Sequence, residues 1–328
     1  MATTGTDVRG SAGGTASGPL EESAAGRARV EAVEALPMER VNPPRRFFRG
    51  TFSDLADILR FRELLAQLVR KELKVKYKDS VLGFFWTLVR PMTQLVIYYL
   101  AFTIFLGNSQ PAYAVFIFSG LVVWGLFTDI VGGCTGSIVG NGGLLKKTYF
   151  PREIFPLSVV GAALVNFGLQ LLVLFAAIGV TALFTDNRVA LTGDLALVPL
   201  ALVVCLTWGL ALGLFLAAAT VYFRDLQHLI EIVLLALFWL VPIVYPVVLP
   251  IKNFAEGGHQ VLLDIYLANP MLNVVTAFQR AFYTMGPEYT FAGNLAARLA
   301  VLAAIGLGVL WLAQRYFARA QGDFAQEL

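Results

Sequence analysis

The pattern of apolar and polar positions changes character at Phe61. Apolar residues then recur at Phe61, Leu64, Leu65, Leu68, Val69 and Leu73, the period of a helix with one apolar face. The opposite face carries Arg62, Arg70, Lys71, Lys74, Lys76 and Lys78. A basic amphipathic helix of this kind lies in the plane of a membrane interface, with its leucines at the acyl boundary and its cations near anionic headgroups. Beyond it the pattern becomes long apolar runs. A membrane span needs about 20 mostly apolar residues, and six runs qualify, at 84–106, 113–138, 154–183, 195–222, 229–249 and 294–316. Between the last two, Pro250–Gly293 is apolar and aromatic but interrupted by Asn269-Pro270, which predicts two short re-entrant or interfacial helices. Gly132, Gly136 and Gly140 are spaced four apart in the second run, and Gly209 and Gly213 repeat the spacing in the fourth. Both stripes are expected to let another helix approach closely. The fold class predicted is an all-α membrane protein of six transmembrane helices, with an N-terminal amphipathic interfacial helix and short extracellular re-entrant helices.

Charge sets the orientation. With the N-terminus inside, the inner segments from residue 60 onward hold fourteen Lys and Arg: Arg60, Arg62, Arg70, Lys71, Lys74, Lys76, Lys78, Arg90, Lys146, Lys147, Arg152, Arg224, Arg315 and Arg319. The outer segments hold four, Arg188, Lys252, Arg280 and Arg298. The positive-inside rule therefore places both termini in the cytoplasm. The segments predicted are a disordered cytoplasmic tail at 1–45, the amphipathic helix region at 46–80, the six-span domain at 81–320 and a cytoplasmic C-terminal tail at 321–328. Within the first of these, GSAGGTASGPLEESAAG at 10–26 is nearly all Gly, Ala, Ser and Glu, with almost nothing to bury. It lacks the basic start and apolar core of a signal peptide.

Composition agrees with the membrane reading. The chain is 57% hydrophobic and only 14% charged, against about 25% charged in soluble domains. Its mean hydropathy is +0.70. A net charge of +3 is too small to point to nucleic acid. Cys134 and Cys205 both lie inside apolar runs and read as packing residues, and His228 and His259 have no ligand-spaced partners, so no metal site is expected.

Two inner loops carry the remaining signal. In the first, residues 141–158, Asn141-Gly-Gly breaks the preceding helix, and Leu144 to Tyr149 can form one short helix before Pro151. It sets Lys146 and Lys147 beside Leu145, Tyr149 and Phe150, a mix of charge and aromatic anchors suited to a partner's groove. The run Gly140 to Thr148 faintly imitates a phosphate-binding loop, but Lys146 stands where Gly must precede Lys-Thr, and no strand leads into it. No ATPase site is expected in this chain. The second loop places Arg224 and Asp225 at the junction of two apolar runs, where charges cost least in the interface or against a partner.

Three stretches together, VKYKDSVLGFFWTLVRPM at 75–92, LLKKTYFPREIFPLS at 144–158 and VYFRDLQHLIEIVLLALFWLVPIVYP at 221–246, resemble the membrane subunit of ABC-2 type exporters. The closest branch is the polysaccharide and polyol-phosphate export permeases, which include O-antigen and wall teichoic acid exporters. The resemblance covers about residues 60 to 320. It implies that Lys146, Lys147, Tyr149, Phe150, Pro151, Arg152 and Glu153 form the first coupling helix and its Phe-Pro-Arg-Glu stretch. It implies that Arg224 and Asp225 form the second contact with the ATPase, and that the interfacial helix also touches that subunit. Two copies of the permease would work with two copies of a separate ATPase chain, which holds ATP and Mg. This chain would need no cofactor of its own and would sit in the bacterial plasma membrane. Arg90 before Pro91 departs from the neutral residue the family leads one to expect.

The substrate expected from the resemblance is a lipid-linked polysaccharide of O-antigen, teichoic acid or cell-wall galactan type. Aromatic rings stack on the C–H faces of sugars, so Tyr98, Tyr99 and Phe102 on the first span and Phe238, Trp239 and Tyr245 on the fifth are candidates for the pathway, with lipid contact or packing as the alternative. Trp86 and Trp124 read as interfacial anchors. Arg70, Lys71, Lys74, Lys76 and Lys78 can attract a lipid diphosphate or simply anchor the helix to membrane lipids. A drug or small-lipid permease is the alternative within exporters. A membrane-embedded glycosyltransferase would need paired acids at the membrane face, yet Asp79, Asp129, Asp186, Asp194 and Asp264 are scattered. An ion-coupled transporter would need ionisable groups near mid-span.

Overall fold

The computed structural model describes residues 60–76, 85–105, 107, 112–145, 150–184, 193–283, 294–322 and 324–327. Every regular element among them is helical. The amphipathic segment is α1 (Arg62–Lys76), with Glu63 in its first turn and Lys74 and Lys76 in its last, the order the helix dipole favours. The next helix, α2 (Trp86–Tyr99), continues as a π-helical stretch, Leu100–Phe105. Then come α3 (Tyr113–Ser137), the short α4 (Gly142–Leu145), α5 (Ile154–Phe184), α6 (Leu197–Tyr222) and α7 (Leu226–Leu240). Three short helices follow, α8 (Val248–Glu256), α9 (Gln260–Leu267) and α10 (Pro270–Phe282), before α11 (Leu295–Ala320) and the one-turn α12 (Phe324–Glu327).

α3 is the axis of the bundle. It is apolar on most sides, as a largely enclosed helix must be, and 78% of its most apolar stretch is buried. α5, α6 and α10 surround it, and α11 lies along α6. Small residues set these approaches. A Cβ at Gly213 would lie 2.7 Å from the Cβ of Cys134, and one at Gly209 would lie 3.3 Å from Ile130, so this stripe is the α6–α3 contact. At Gly306 a Cβ would come within 2.6 Å of Thr207 Oγ1, and beside it Trp208 Nε1 donates to the Leu302 carbonyl at 3.0 Å. The other expected stripe does not hold as one surface. Gly136 faces Gln227, but among the described residues Gly132 and Gly140 have no neighbour within 4 Å, while Gly133, off the stripe, packs on Val159. α1 is pressed onto α5 at Gly161, where a Cβ would lie 2.6 Å from a Val69 methyl.

Among the described residues four helices are long and apolar enough to cross a membrane, α3, α5, α6 and α11, or five if α9 and α10 count as one bent span. The chain is a multi-pass membrane protein. Helix length alone does not deliver the six expected spans, because the apolar part of α2 (Pro91–Phe102) and α7 are shorter. The expected run 229–249 ends as helix at Leu240 for a local reason. Pro242 bars its predecessor from the helical region, and Val241 is extended, with φ −94° and ψ 135°. Val241, Pro242, Ile243 and Val244 are nonetheless buried. Their carbonyls are met: Ile243 N donates to Val241 O at 2.8 Å, Gln279 Nε2 donates to Pro242 O at 2.8 Å and to Ile243 O at 3.3 Å, and the Tyr113 hydroxyl donates to Val244 O. Non-helical backbone at membrane depth is tolerated only when protein satisfies it in this way. α9 and α10 meet at 69°. At the bend Asn269 Oδ1 caps α10, accepting from Met271 N at 2.9 Å, with Pro270 in the first helical turn. The stretch expected to hold two short helices thus contains α9 and α10 as well as most of α8.

Candidate functional site

α1 and the two loops meet at one end of the bundle, here termed the basic end. One apolar cluster joins them. Leu68 of α1, Ile138 and Leu145 after α3, Ile154 and Phe155 opening α5, Leu214 and Val221 closing α6, Phe317 of α11 and Phe324 of α12 are all buried in it. Residues from distant parts of the chain therefore share one packed cluster.

In the first loop, Pro151 and Arg152 are half-buried, and the Phe150 ring packs on Phe155 at 5.4 Å. Two turn bonds, Ile154 N to Pro151 O and Phe155 N to Arg152 O, both 3.3 Å, start α5. Glu153 stands at that helix's N-terminal boundary, where the dipole favours a carboxylate, and is only 3% exposed. Glu153 and Arg315, on the neighbouring α11, are the buried charged residues among those described. Lys146, Lys147 and Tyr149 lie outside the described residues.

In the second loop, the helix is broken at Phe223 (φ −125°, ψ 87°), and Arg224 and Asp225 are exposed. They line an open groove of about 760 Å³ together with Tyr222, Leu229 and, from the far end of the chain, Glu327. The C-terminal segment reaches the first loop as well. The Arg152 guanidinium sits 5.8 Å over the Phe324 ring, itself edge-on to Phe317 at 5.4 Å. Read from the sequence as a simple tail, residues 321–328 thus contribute a fully buried aromatic and a groove-lining carboxylate. A signal was present: Phe324 is an aromatic residue in an otherwise mostly polar stretch, 321–327.

The cations of α1 divide. Arg70 and Lys74 are exposed, whereas Lys71 Nζ donates to Asn141 Oδ1 and Lys76 Nζ lies 3.5 Å from Asp129 Oδ1. Lys78 is outside the described residues. The aromatic candidates also divide. Phe238 is buried, stacked on Tyr98 at 5.8 Å and edge-on to Trp124 at 6.0 Å, while Phe102 packs near Tyr113 at 6.3 Å. Tyr99 and Trp239 are exposed, and the Tyr245 hydroxyl donates to Trp239 O at 2.8 Å. Trp124, expected at an interface, is instead a core residue, only 7% exposed.

The stretch of sequence that builds this amphipathic helix and the two loops has counterparts among known proteins. Residues 63–283 match the family described as ABC-2 type transporter. The chain belongs to the ABC-2 type transporter family. Among its relatives is an O-antigen export system permease protein of Myxococcus xanthus, 34% identical over 275 residues, which are 83% of this chain and 98% of the relative. A protein of the same description from Klebsiella pneumoniae is 26% identical over 247 residues, 75% of this chain and 90% of the relative. As an ABC-2 permease the chain is a transport subunit, and the family works with an ABC ATPase. The matched region contains both loops and α1, and it ends before α11 and α12.

Proposed function

We propose that this permease is the membrane subunit of an ATP-driven exporter that moves a lipid-linked polysaccharide of O-antigen type from the cytoplasmic to the outer face of the bacterial plasma membrane. The observation that carries this reading is the 34% identity, over nearly the whole of the relative, to a permease named for O-antigen export. Two copies of the chain pair through membrane-embedded faces and bind two copies of a separate ATPase, which holds ATP and Mg. α2 and α7 complete a six-span topology with both termini in the cytoplasm, and α9 and α10 fold back at the outer face. Val96, Tyr99 and Phe105 of the α2 stretch and Ile232, Leu235 and Trp239 of α7 are exposed apolar side chains that fit a subunit interface. Sugars stack on the aromatic residues along it.

Arg152 and Glu153 of the first loop and Arg224 and Asp225 of the second form the coupling surface. ATP-driven closure of the partner pushes on the loops, and the shared apolar cluster passes the movement to α1, α5, α6 and α11. Burial of Glu153 supports a role in holding the first loop's shape, and exposure of Arg224 supports direct contact. Glu153→Ala or Arg224→Ala should lower export while leaving membrane insertion intact; unchanged export in both variants removes the coupling assignment. The substrate is tested by mass spectrometry of the tagged permease purified from native membranes. A stoichiometric ATPase and a bound lipid-linked O-antigen-type glycan are expected. A bound teichoic acid or galactan redirects the substrate, and a permease carrying only drug-like or small-lipid ligands overturns the polysaccharide reading.

A further inference from the structure

Asp129 is the only acidic or basic residue in α3, α5 and α6. An ionisable group inside a span is costly and marks function by default. It lies eight residues before the end of α3, about 12 Å in from the basic end at 1.5 Å per residue. Asn166 of α5, 3% exposed, donates from Nδ2 to Asp129 Oδ2 at 3.4 Å, and Lys76 Nζ stands 3.5 Å from Oδ1. Both contacts sit at the long limit of a hydrogen bond, so the carboxylate keeps acceptor capacity for a third partner. These groups wall a groove of about 440 Å³, open between α1, α3 and α5. Glu72 adds a second carboxylate, and Gly132, Gly133 and Ala163 contribute to a small-residue floor.

Gly132 connects this groove to the unexplained half of the glycine stripe. Among the described residues a Cβ there meets nothing within 4 Å, so its small size serves no contact with the described helices. It leaves room instead. Two carboxylates against one ammonium give the lining a net negative charge, which repels a diphosphate anchor. The same lining presents acceptors for a cation beside one donor for an anion. We propose that the groove binds the zwitterionic headgroup of an amine-bearing phospholipid, in the leaflet that α1 lies against. Asp129 and Glu72 take the ammonium, Lys76 takes the phosphate, and Asn166 holds the Asp129 carboxylate in place. Because Lys76 ends α1, a bound lipid also fixes the angle at which α1 lies on α5.

The test is native mass spectrometry of the full-length permease in mild detergent, titrated with phosphatidylethanolamine or phosphatidylglycerol of identical acyl chains. Phosphatidylethanolamine should half-saturate the protein at a roughly tenfold lower concentration. Asp129→Asn, which keeps the side-chain shape, should bring the two lipids to within about threefold. Gly132→Leu fills the groove from an open position in a helix. It should cut phosphatidylethanolamine occupancy about tenfold with no fall in melting temperature, and it tests the site even if Asp129→Asn misfolds. Equal binding of both lipids by the unaltered protein, or unchanged binding in Gly132→Leu, overturns the proposal. Displacement of phosphatidylethanolamine by an equal concentration of an uncharged glycosyl diacylglycerol overturns the ammonium assignment.

Discussion

The two ends of the bundle solve the same problem, irregular backbone beside a membrane, by different means. At the far end, Val241 to Val244 is buried and non-helical, and the carbonyls of Pro242, Ile243 and Val244 are held by hydrogen bonds from Gln279 and Tyr113. Such bonds have fixed partners and directions, so that end has one arrangement. At the basic end, the loops rest on an apolar cluster of leucine, isoleucine and phenylalanine side chains, with Arg152 over a ring and Arg224 in the open. Apolar packing is non-directional, so a cluster of this kind can tilt as a body without breaking a specific bond. The contrast is between an end held by directional hydrogen bonds and an end held by apolar packing.

The largest expected effect comes from cutting the directional bonds. Gln279→Leu leaves the buried carbonyls of Pro242 and Ile243 without their donor, at about 1–3 kcal/mol for each unsatisfied group. A steep fall in thermal stability by fluorescence-detected size exclusion is expected, and unaltered melting would mean the far end is not pinned by this side chain. Gly213→Val should cost about 1–3 kcal/mol by overpacking, because its Cβ lands 2.7 Å from Cys134. The same assay reads it, and Gly132→Val serves as the control with open space.

At the basic end the signature should reverse, with function moving more than stability. Phe324→Ala removes the ring beneath Arg152, and because α12 is a single terminal turn, the bundle should melt nearly as before. Export should fall severalfold while ATP hydrolysis by the assembled complex persists. Phe324→Tyr, which keeps the ring face, should restore export, and failure of that rescue would deny the ring its positioning role. The smallest effect is expected at Asp194, whose Oδ2 accepts from Arg280 Nε at 2.8 Å with both side chains about a third exposed. Asp194→Asn should cost under about 1 kcal/mol and less in high salt, measured as a melting shift across a salt series.

Much of this was legible in the chain itself. The periodicity from Phe61 to Leu73 marks α1, the apolar runs at 113–138, 154–183 and 195–222 match α3, α5 and α6 within a few residues, and Asn269-Pro270 marks the cap of α10. The run at 229–249 misled because hydropathy sums composition and is blind to the proline that ends α7 at Leu240. The glycine spacing misled for a related reason. Small residues four apart report a possible surface, and only the neighbours show that Gly213 meets Cys134 while Gly132 meets none of the described residues.

What the sequence determined by itself is what neighbours in the chain decide: where helices start and stop, which segments are apolar enough for a membrane, which face of α1 is charged, and the motif order that the family resemblance rests on. The tertiary structure alone decided which distant residues share a surface. Phe324 lies under Arg152, Gln279 satisfies carbonyls 36 and 37 residues away, and Lys76, Asp129 and Asn166 wall one groove. These pairings arise from helix packing angles and side-chain volumes summed over the whole bundle, and no local pattern in the chain encodes them.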